Sequence, residues 1–246
     1  MSTAILTIDD ISSKNTPAIV DYLVSKGITA VMFAVGENVE KFYDEAIYAV
    51  RAGMIVGNHS YSHPAFSSLT IEQAKAEIEK NEQILNKLYK DAGVERVYRP
   101  FRFPYGDKGG VIAQDIQKYL AEQGFDKLDD TKIEYPWWSQ NGCDKNIDTF
   151  WTFDFEEYRI WQSDDFTVEN VWAKIKNMNP TQGAALLAED NYHFILTHAH
   201  DETEEVVYYA VCRLLLRERN DFRQAYVFNV IEIGLIITLS CPLEFR

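Results

Sequence analysis

The sequence predicts an α/β fold built as a (β/α) barrel, and three observations lead there. Short apolar runs alternate with amphipathic helical patterns, with no linker and no tandem repeat between them. The runs end in polar groups: Asp9 and Asp10, His59 and His63, Arg102 with Tyr105, the acidic stretch Asp154 to Glu157, and His198 with His200. Parallel barrels build their sites at such strand ends. An open doubly wound sheet would instead carry a glycine-rich phosphate turn after its first strand, and Asp9-Asp10-Ile11-Ser12 stands in that place.

In chain order, Ala4 to Ile8 reads as a buried strand that delivers two acids at its end. Thr16 caps and Pro17 starts a helix whose inner face is Ile19, Val20 and Leu23, with Gly27 at its stop. Ile28 to Val35 is the second strand, broken at Gly36. Phe42, Ala46, Ile47 and Val50 form the next helical stripe, and Met54 to Val56 is a strand leading into His59. Thr70 and Gln73 make a capping box for a helix from Ile71 to about Lys90, closed by Gly93. Val97 to Arg99 is strand-like, followed by a proline-rich loop through Gly106 and a helix from about Val111 to Gln123. Asp126 to Thr149 lacks periodicity and reads as a long loop or insertion. Phe150 to Phe155 is strand, Val168 to Lys176 helix, His193 to Thr197 strand, Thr203 to Arg217 helix and Val227 to Leu239 strand. One catalytic domain over residues 1–246 is expected, with 216–246 as its closing segment.

Composition narrows the partners. Acids outnumber bases 38 to 24, a formal charge of -14, which argues against a phosphate backbone or an anionic membrane surface. Cys143, Cys212 and Cys241 are odd in number and lack metal-like spacing, as in a reducing compartment. Residues 1–10 have no basic flank and too short an apolar run for a signal peptide, so a cytoplasmic location is expected as written. An extracellular or cell-envelope location is the alternative if a preceding segment has been removed. The apolar stretch Tyr226 to Cys241 is interrupted by Asn229 and Glu232 and reads as strand, not membrane span.

Two histidines four residues apart are weak evidence alone, since loop histidines at a helix entrance have the same spacing. Two imidazoles and one carboxylate, however, leave positions open on Zn²⁺ or a similar ion for water and a carbonyl oxygen. The second acid of Asp9-Asp10 can then act as base. Cobalt and nickel suit the same donors.

Thr7-Ile8-Asp9-Asp10, His59-Ser60-Tyr61-Ser62-His63-Pro64, Arg102-Phe103-Pro104-Tyr105-Gly106 and Leu196-Thr197-His198 occur in one order along the chain. With Gly27-Ile28-Thr29-Ala30 and Ala52 to Asn58 between them, they resemble the polysaccharide deacetylase family (NodB homology, carbohydrate esterase family 4) over about residues 4–215. The resemblance implies a distorted (β/α) barrel and metal-dependent removal of N-acetyl groups from an amino-sugar polymer or oligosaccharide. It implies Asp10, His59 and His63 as ligands of one divalent ion and Asp9 as the base that deprotonates the attacking water. Arg102 would orient Asp9, the Tyr105 backbone N–H would stabilise the oxyanion, and His198 would protonate the departing amine. Leu196 would contact the acetyl methyl. Where the family usually has an Asp-Trp pair, Glu157-Tyr158 aligns, so Glu157 is expected to pair with His198, with Asp154 as the other candidate, and Tyr158 to alter the acetyl pocket. His200 ranks second to His198 as the acid, and His193 is read as structural. Among the aromatics Tyr61, Tyr105, Trp137, Trp138, Trp151 and Trp161, Trp151 is read as core and Trp137-Trp138 as an exposed platform for sugar rings. The rival readings are a related deacylase acting on an O-acetyl ester or a non-sugar amide, and a silent carbohydrate-binding relative.

Overall fold

A computed structural model describes residues 3–188 and 191–201. The elements are β1 (Thr3–Ile11), α1 (Thr16–Ser25), β2 (Val31–Ala34), α2 (Gly36–Lys41), α3 (Tyr43–Arg51), β3 (Ile55–Asn58), α4 (Ile71–Ala92), α5 (Ala113–Glu122), α6 (Pro136–Gln140), β4 (Phe153–Asp154), α7 (Arg159–Gln162), α8 (Val168–Lys176) and β5 (Tyr192–His198). The helix expected at Thr203 to Arg217, the strand at Val227 to Leu239 and the closing segment lie outside the described residues. No helix among the described residues is long and apolar enough to cross a membrane.

The sheet is parallel throughout, in the order β3-β2-β1-β5-β4. Single parallel bridges continue the series, Asn58 to Phe101 and Pro100 to Asp126, so the chain at 100–101 and at 126 takes the next positions around a distorted barrel. The strand expected at Val97 to Arg99 is reduced to these bridges, and the pairing falls one residue later. Pro100 has no N–H to give a ladder, so pairing cannot propagate through it.

β2 is buried on both faces. Its outer side packs with Ile19, Val20, Ala46, Ala49, Leu85 and Leu88 of the helical layer. Its inner side, Val31 and Phe33, joins Ile5, Phe194, Leu128 and Trp138 in an apolar cluster that fills the barrel interior. β1 alternates accordingly: Ile5 belongs to that interior cluster, and Thr7 and Asp9 follow at steps of two on the same face. The floor is therefore hydrocarbon and the polar groups sit above it, at the C-terminal ends of the strands.

One reading is extended here and two are corrected. Gly36 ends the strand run as read, and it also opens α2, with its N–H donating to Ser60 O at 3.0 Å. A Cβ at Gly36 would lie 2.6 Å from the Tyr61 ring, so the glycine permits close approach of the histidine-bearing loop. The Asp126 to Thr149 stretch is not a bare loop, because it contains α6, and Trp138 is no exposed platform. Trp138 is 1% exposed, its Nε1 donates to Asp130 Oδ2 at 2.8 Å, and its ring meets Phe194 edge-on in the interior. Trp137 is half-buried and stacked on Tyr135. A pair of indoles carries too much apolar area to stay in solvent when a barrel floor lies open beneath it and a carboxylate awaits the N–H.

Candidate functional site

The site begins with Arg102, which is 0% exposed. Its guanidinium lies between the rings of Phe33 and Trp151, with Cζ 4.4 and 5.6 Å from their centroids. It donates to Asp9 Oδ1 and Thr7 Oγ1, each at 2.7 Å, and to Thr149 O at 3.0 Å. A buried guanidinium needs this saturation. The consequence is that one oxygen of Asp9 is fixed, while the other, Oδ2, lies 3.4 Å from His59 Nε2.

His59 follows β3, and its Nδ1 sits 2.8 Å from Arg102 O. A carbonyl oxygen only accepts, so Nδ1 carries the hydrogen and Nε2 presents a lone pair. That lone pair is 3.6 Å from Asp10 Oδ1, and His63 Nε2 is 3.2 Å from the same oxygen. Burial pushes His63 down to about 4, which keeps its ring neutral at pH 7. Burial alone would raise Asp10, but the hydrogen bond from His200 and the imidazoles of His59, His63 and His198 hold it below the usual carboxylate range.

Asp10 Oδ1 is buried and has no hydrogen-bond partner among the described residues. An orphaned carboxylate oxygen beside two imidazole nitrogens fits a divalent cation, and these three residues offer ligand atoms within 4.8 Å of one another. The backbone is bent to make this convergence: Asp10, Ser60, His63 and Tyr105 have φ of +64°, +65°, +57° and +58°. Left-handed non-glycine residues gathered at one place are a mark of functional geometry. The Tyr105 ring is 70% exposed and meets His63 edge-on at 4.5 Å.

Across the site, β5 carries Leu196 and His198 in register with Thr7 and Asp9, so they share the inner face. Leu196 is buried two residues before His198. Glu157 is 0% exposed, and its Oε1 accepts from Thr197 Oγ1 at 2.8 Å and from the His198 backbone N at 2.5 Å. The same oxygen is 3.2 Å from His198 Nδ1. Burial would lower His198, yet the Glu157 charge beside it pushes it up to about 10, so the ring is an imidazolium. Tyr158 stands edge-on to His198 at 4.8 Å. Of the two acids considered for His198, Glu157 makes these contacts. Asp154 accepts from Glu156 N and is pushed up to about 6 by burial, though its carboxylate could join Glu157 and His198 around an ion.

The structure thus brings Asp9, Asp10, His59, His63, Arg102, Tyr105, Glu157, Tyr158, Leu196 and His198 to one end of the barrel and leaves Trp138 in its interior cluster, with the half-buried Trp137 packed against it. His193 lies at the start of β5, buried, with Nδ1 3.1 Å from Thr152 Oγ1, in keeping with a structural role. Sequence reasoning passed over Thr7 as the second acceptor of Arg102, although its step of two before Asp9 was a readable signal. His200, ranked second as the acid, does stand beside His198, ring centroids 5.4 Å apart, but its Nε2 lies 2.5 Å from Asp10 Oδ2, a contact the sequence did not suggest.

A family model described as polysaccharide deacetylase matches residues 2–127. Among characterised proteins, the chain is similar to a peptidoglycan-N-acetylglucosamine deacetylase of Bacillus cereus, 37% identical over 112 residues that cover 45% of this chain and 37% of that protein. It is also similar to chitin deacetylase 3 of Cryptococcus neoformans, 34% identical over 104 residues that cover 42% of this chain and 24% of that one. The matched stretch thus spans a quarter to two-fifths of these relatives. A family 4 carbohydrate esterase from Streptomyces lividans, solved with acetate, superposes with a TM-score of 0.57 over 88% of each chain at 20% identity, a likeness of fold.

Proposed function

Because the chain belongs to the polysaccharide deacetylase family, we propose that it hydrolyses N-acetyl groups on an amino-sugar polymer or oligosaccharide, with one divalent cation held by Asp10, His59 and His63. The observation that carries the reading is the orphaned Asp10 Oδ1 facing two imidazole nitrogens. Zinc is the first choice of cation, with cobalt and nickel compatible with the same donors. A cation bound there supplies Lewis acidity, acidifying a water and polarising the acetyl carbonyl.

The protein's own groups supply the rest. Asp9, held through Oδ1 by Arg102, uses Oδ2 to take a proton from the attacking water. The Tyr105 backbone N–H donates to the carbonyl oxygen as negative charge develops on it. His198, kept protonated by Glu157, gives its Nε2 proton to the sugar nitrogen, so that an amine and not an amide anion departs as the C–N bond breaks. Leu196 and Tyr158 line the acetyl side.

The chitin and peptidoglycan activities named for the relatives give the substrates to try first. Acetate release from chitin oligomers, peptidoglycan fragments and N-acetylglucosamine, measured before and after chelation and on cation restoration, is the test. Cation-dependent release from at least one is expected; no release from any would overturn the reading. O-acetyl ester hydrolysis is the rival that shares the base and the oxyanion donor. The buried imidazolium favours the amide, because an amine leaving group needs the proton far more than an alkoxide does.

A further inference from the structure

The catalytic scheme leaves one short contact unused, that between His200 and Asp10. His200 Nε2 lies 2.5 Å from Asp10 Oδ2, while Oδ1 faces His63 and His59. An ionised carboxylate only accepts, so Nε2 carries the hydrogen. Both partners are clamped. Ala199 N donates to Asp9 O at 3.0 Å, and Lys14 N donates to Asp201 Oδ1 at 2.8 Å, which fixes the segment bearing His200 against the end of β1. Asp10 holds its left-handed backbone with its carbonyl accepting from Asn38 Nδ2 at 2.9 Å.

We propose that His200 is a positioning residue that confines Asp10 to ligation through one oxygen. By occupying Oδ2 it leaves Oδ1 as the only oxygen available to the cation shared with His59 and His63. Carboxylates ligate hard cations through one oxygen or both, and a chelating Asp10 would take a coordination position that water or the acetyl carbonyl requires. The donated hydrogen bond also locks the rotamer of the ligand, a service whose loss at metal sites costs about 10- to 100-fold in affinity or activity. This inference rests on the metal reading above and concerns how the ligand is presented.

The test compares the full-length wild type with His200→Gln, whose amide can still donate to Oδ2, and His200→Leu, which cannot. Zn²⁺ affinity is read by competition with a chelating dye, and coordination by the visible spectrum of the Co²⁺-loaded protein. Wild type is expected to bind one equivalent. His200→Leu should bind about 10- to 100-fold more weakly and show the weaker absorption of a higher-coordinate Co²⁺, and His200→Gln should recover most of both. Should His200→Leu fail to fold by circular dichroism, His200→Ser, polar but too short to reach Oδ2, replaces it. A wild type that takes up no cation would sink the metal reading itself. A wild type that binds, with an unaltered affinity and spectrum in the folded Leu or Ser variant, would sink the positioning role alone. So would a folded His200→Gln no better than His200→Leu.

Discussion

His193 and His198 sit on the same strand, both withdrawn from water, and are held in opposite states. At the floor end, His193 faces a threonine hydroxyl and burial alone pushes it down to about 4. At the site end, His198 faces Glu157 and is pushed up to about 10 against the same burial. Desolvation decides the charge of an imidazole only where no carboxylate answers it. The contrast extends to the two ends of the barrel. The floor is an aromatic and aliphatic plug whose Trp138 indole is tied to one buried ion pair, Lys127–Asp130, and the site end is a convergent set of buried charges and imidazoles.

The sharpest break of that contrast removes the proposed cation site. His63→Ala is expected to abolish both cation uptake, read by elemental analysis, and acetate release. Asp9→Asn should keep the cation and lose about 10²- to 10⁴-fold in kcat, the usual worth of a general base. Equal metal loss in both would mean that the roles of Asp9 and Asp10 are exchanged.

Next in size is Glu157→Gln, which makes the environment of His198 like that of His193. A fall of about 10- to 100-fold in kcat is expected, together with a changed stability profile. Because His198 is raised from 6.5 to about 10 on folding, its pairing stabilises fully below pH 6.5, and the benefit is lost as pH rises through 10. Glu157 is lowered from 4.5, so its share is present above pH 4.5 and lost as pH falls through its folded value. The Tm gap between wild type and Glu157→Gln should therefore be widest near pH 5 to 6.5 and narrow toward pH 10 in thermal melts. A gap independent of pH would show that the pair is not ionised.

Floor substitutions should move stability and not chemistry. Trp138→Ala is expected to cost about 3–5 kcal/mol in denaturant unfolding, with little change in kcat/KM of the folded fraction. The smallest effect is assigned to Trp137→Ala, which should leave KM for a chitin oligomer within about twofold. A larger rise in KM would restore Trp137 as a sugar platform.

Local signals were the legible part of the fold. The Thr70–Gln73 capping box and Gly93 at φ +73° bound α4 as read, and α8 runs from Val168 to Lys176 as its periodicity predicts. The ordered motifs likewise gathered ten of the twelve named site residues at one end of the barrel. What escaped was set by tertiary geometry. Nothing near Trp138 tells that the interior beneath it needs filling. Gly36 reads only as a breaker until Tyr61 is seen against it, 25 residues away in sequence and 2.6 Å from an added Cβ. His200 looks like a twin of His198, yet β5 ends at His198 and the chain leaves the strand's alternation before His200 is placed. Pairings across 190 residues, such as His200 with Asp10, leave no local pattern to read.

The left-handed backbone at Asp10, Ser60, His63 and Tyr105 carries a consequence for the ensemble. Conformations of this kind cost about 1–3 kcal/mol each, and at Asp10 and His63 the strained residue is itself a proposed ligand. The loop from Asn58 to Pro64 should therefore sample open states more readily than the floor, and a bound cation should draw it back into register. Amide exchange across that loop is expected to slow on cation binding, while exchange in β2 stays unchanged. Ser60→Gly relieves one such residue but also removes the buried hydroxyl that accepts from His63 N at 3.1 Å, so it should loosen the ligand loop and widen that difference.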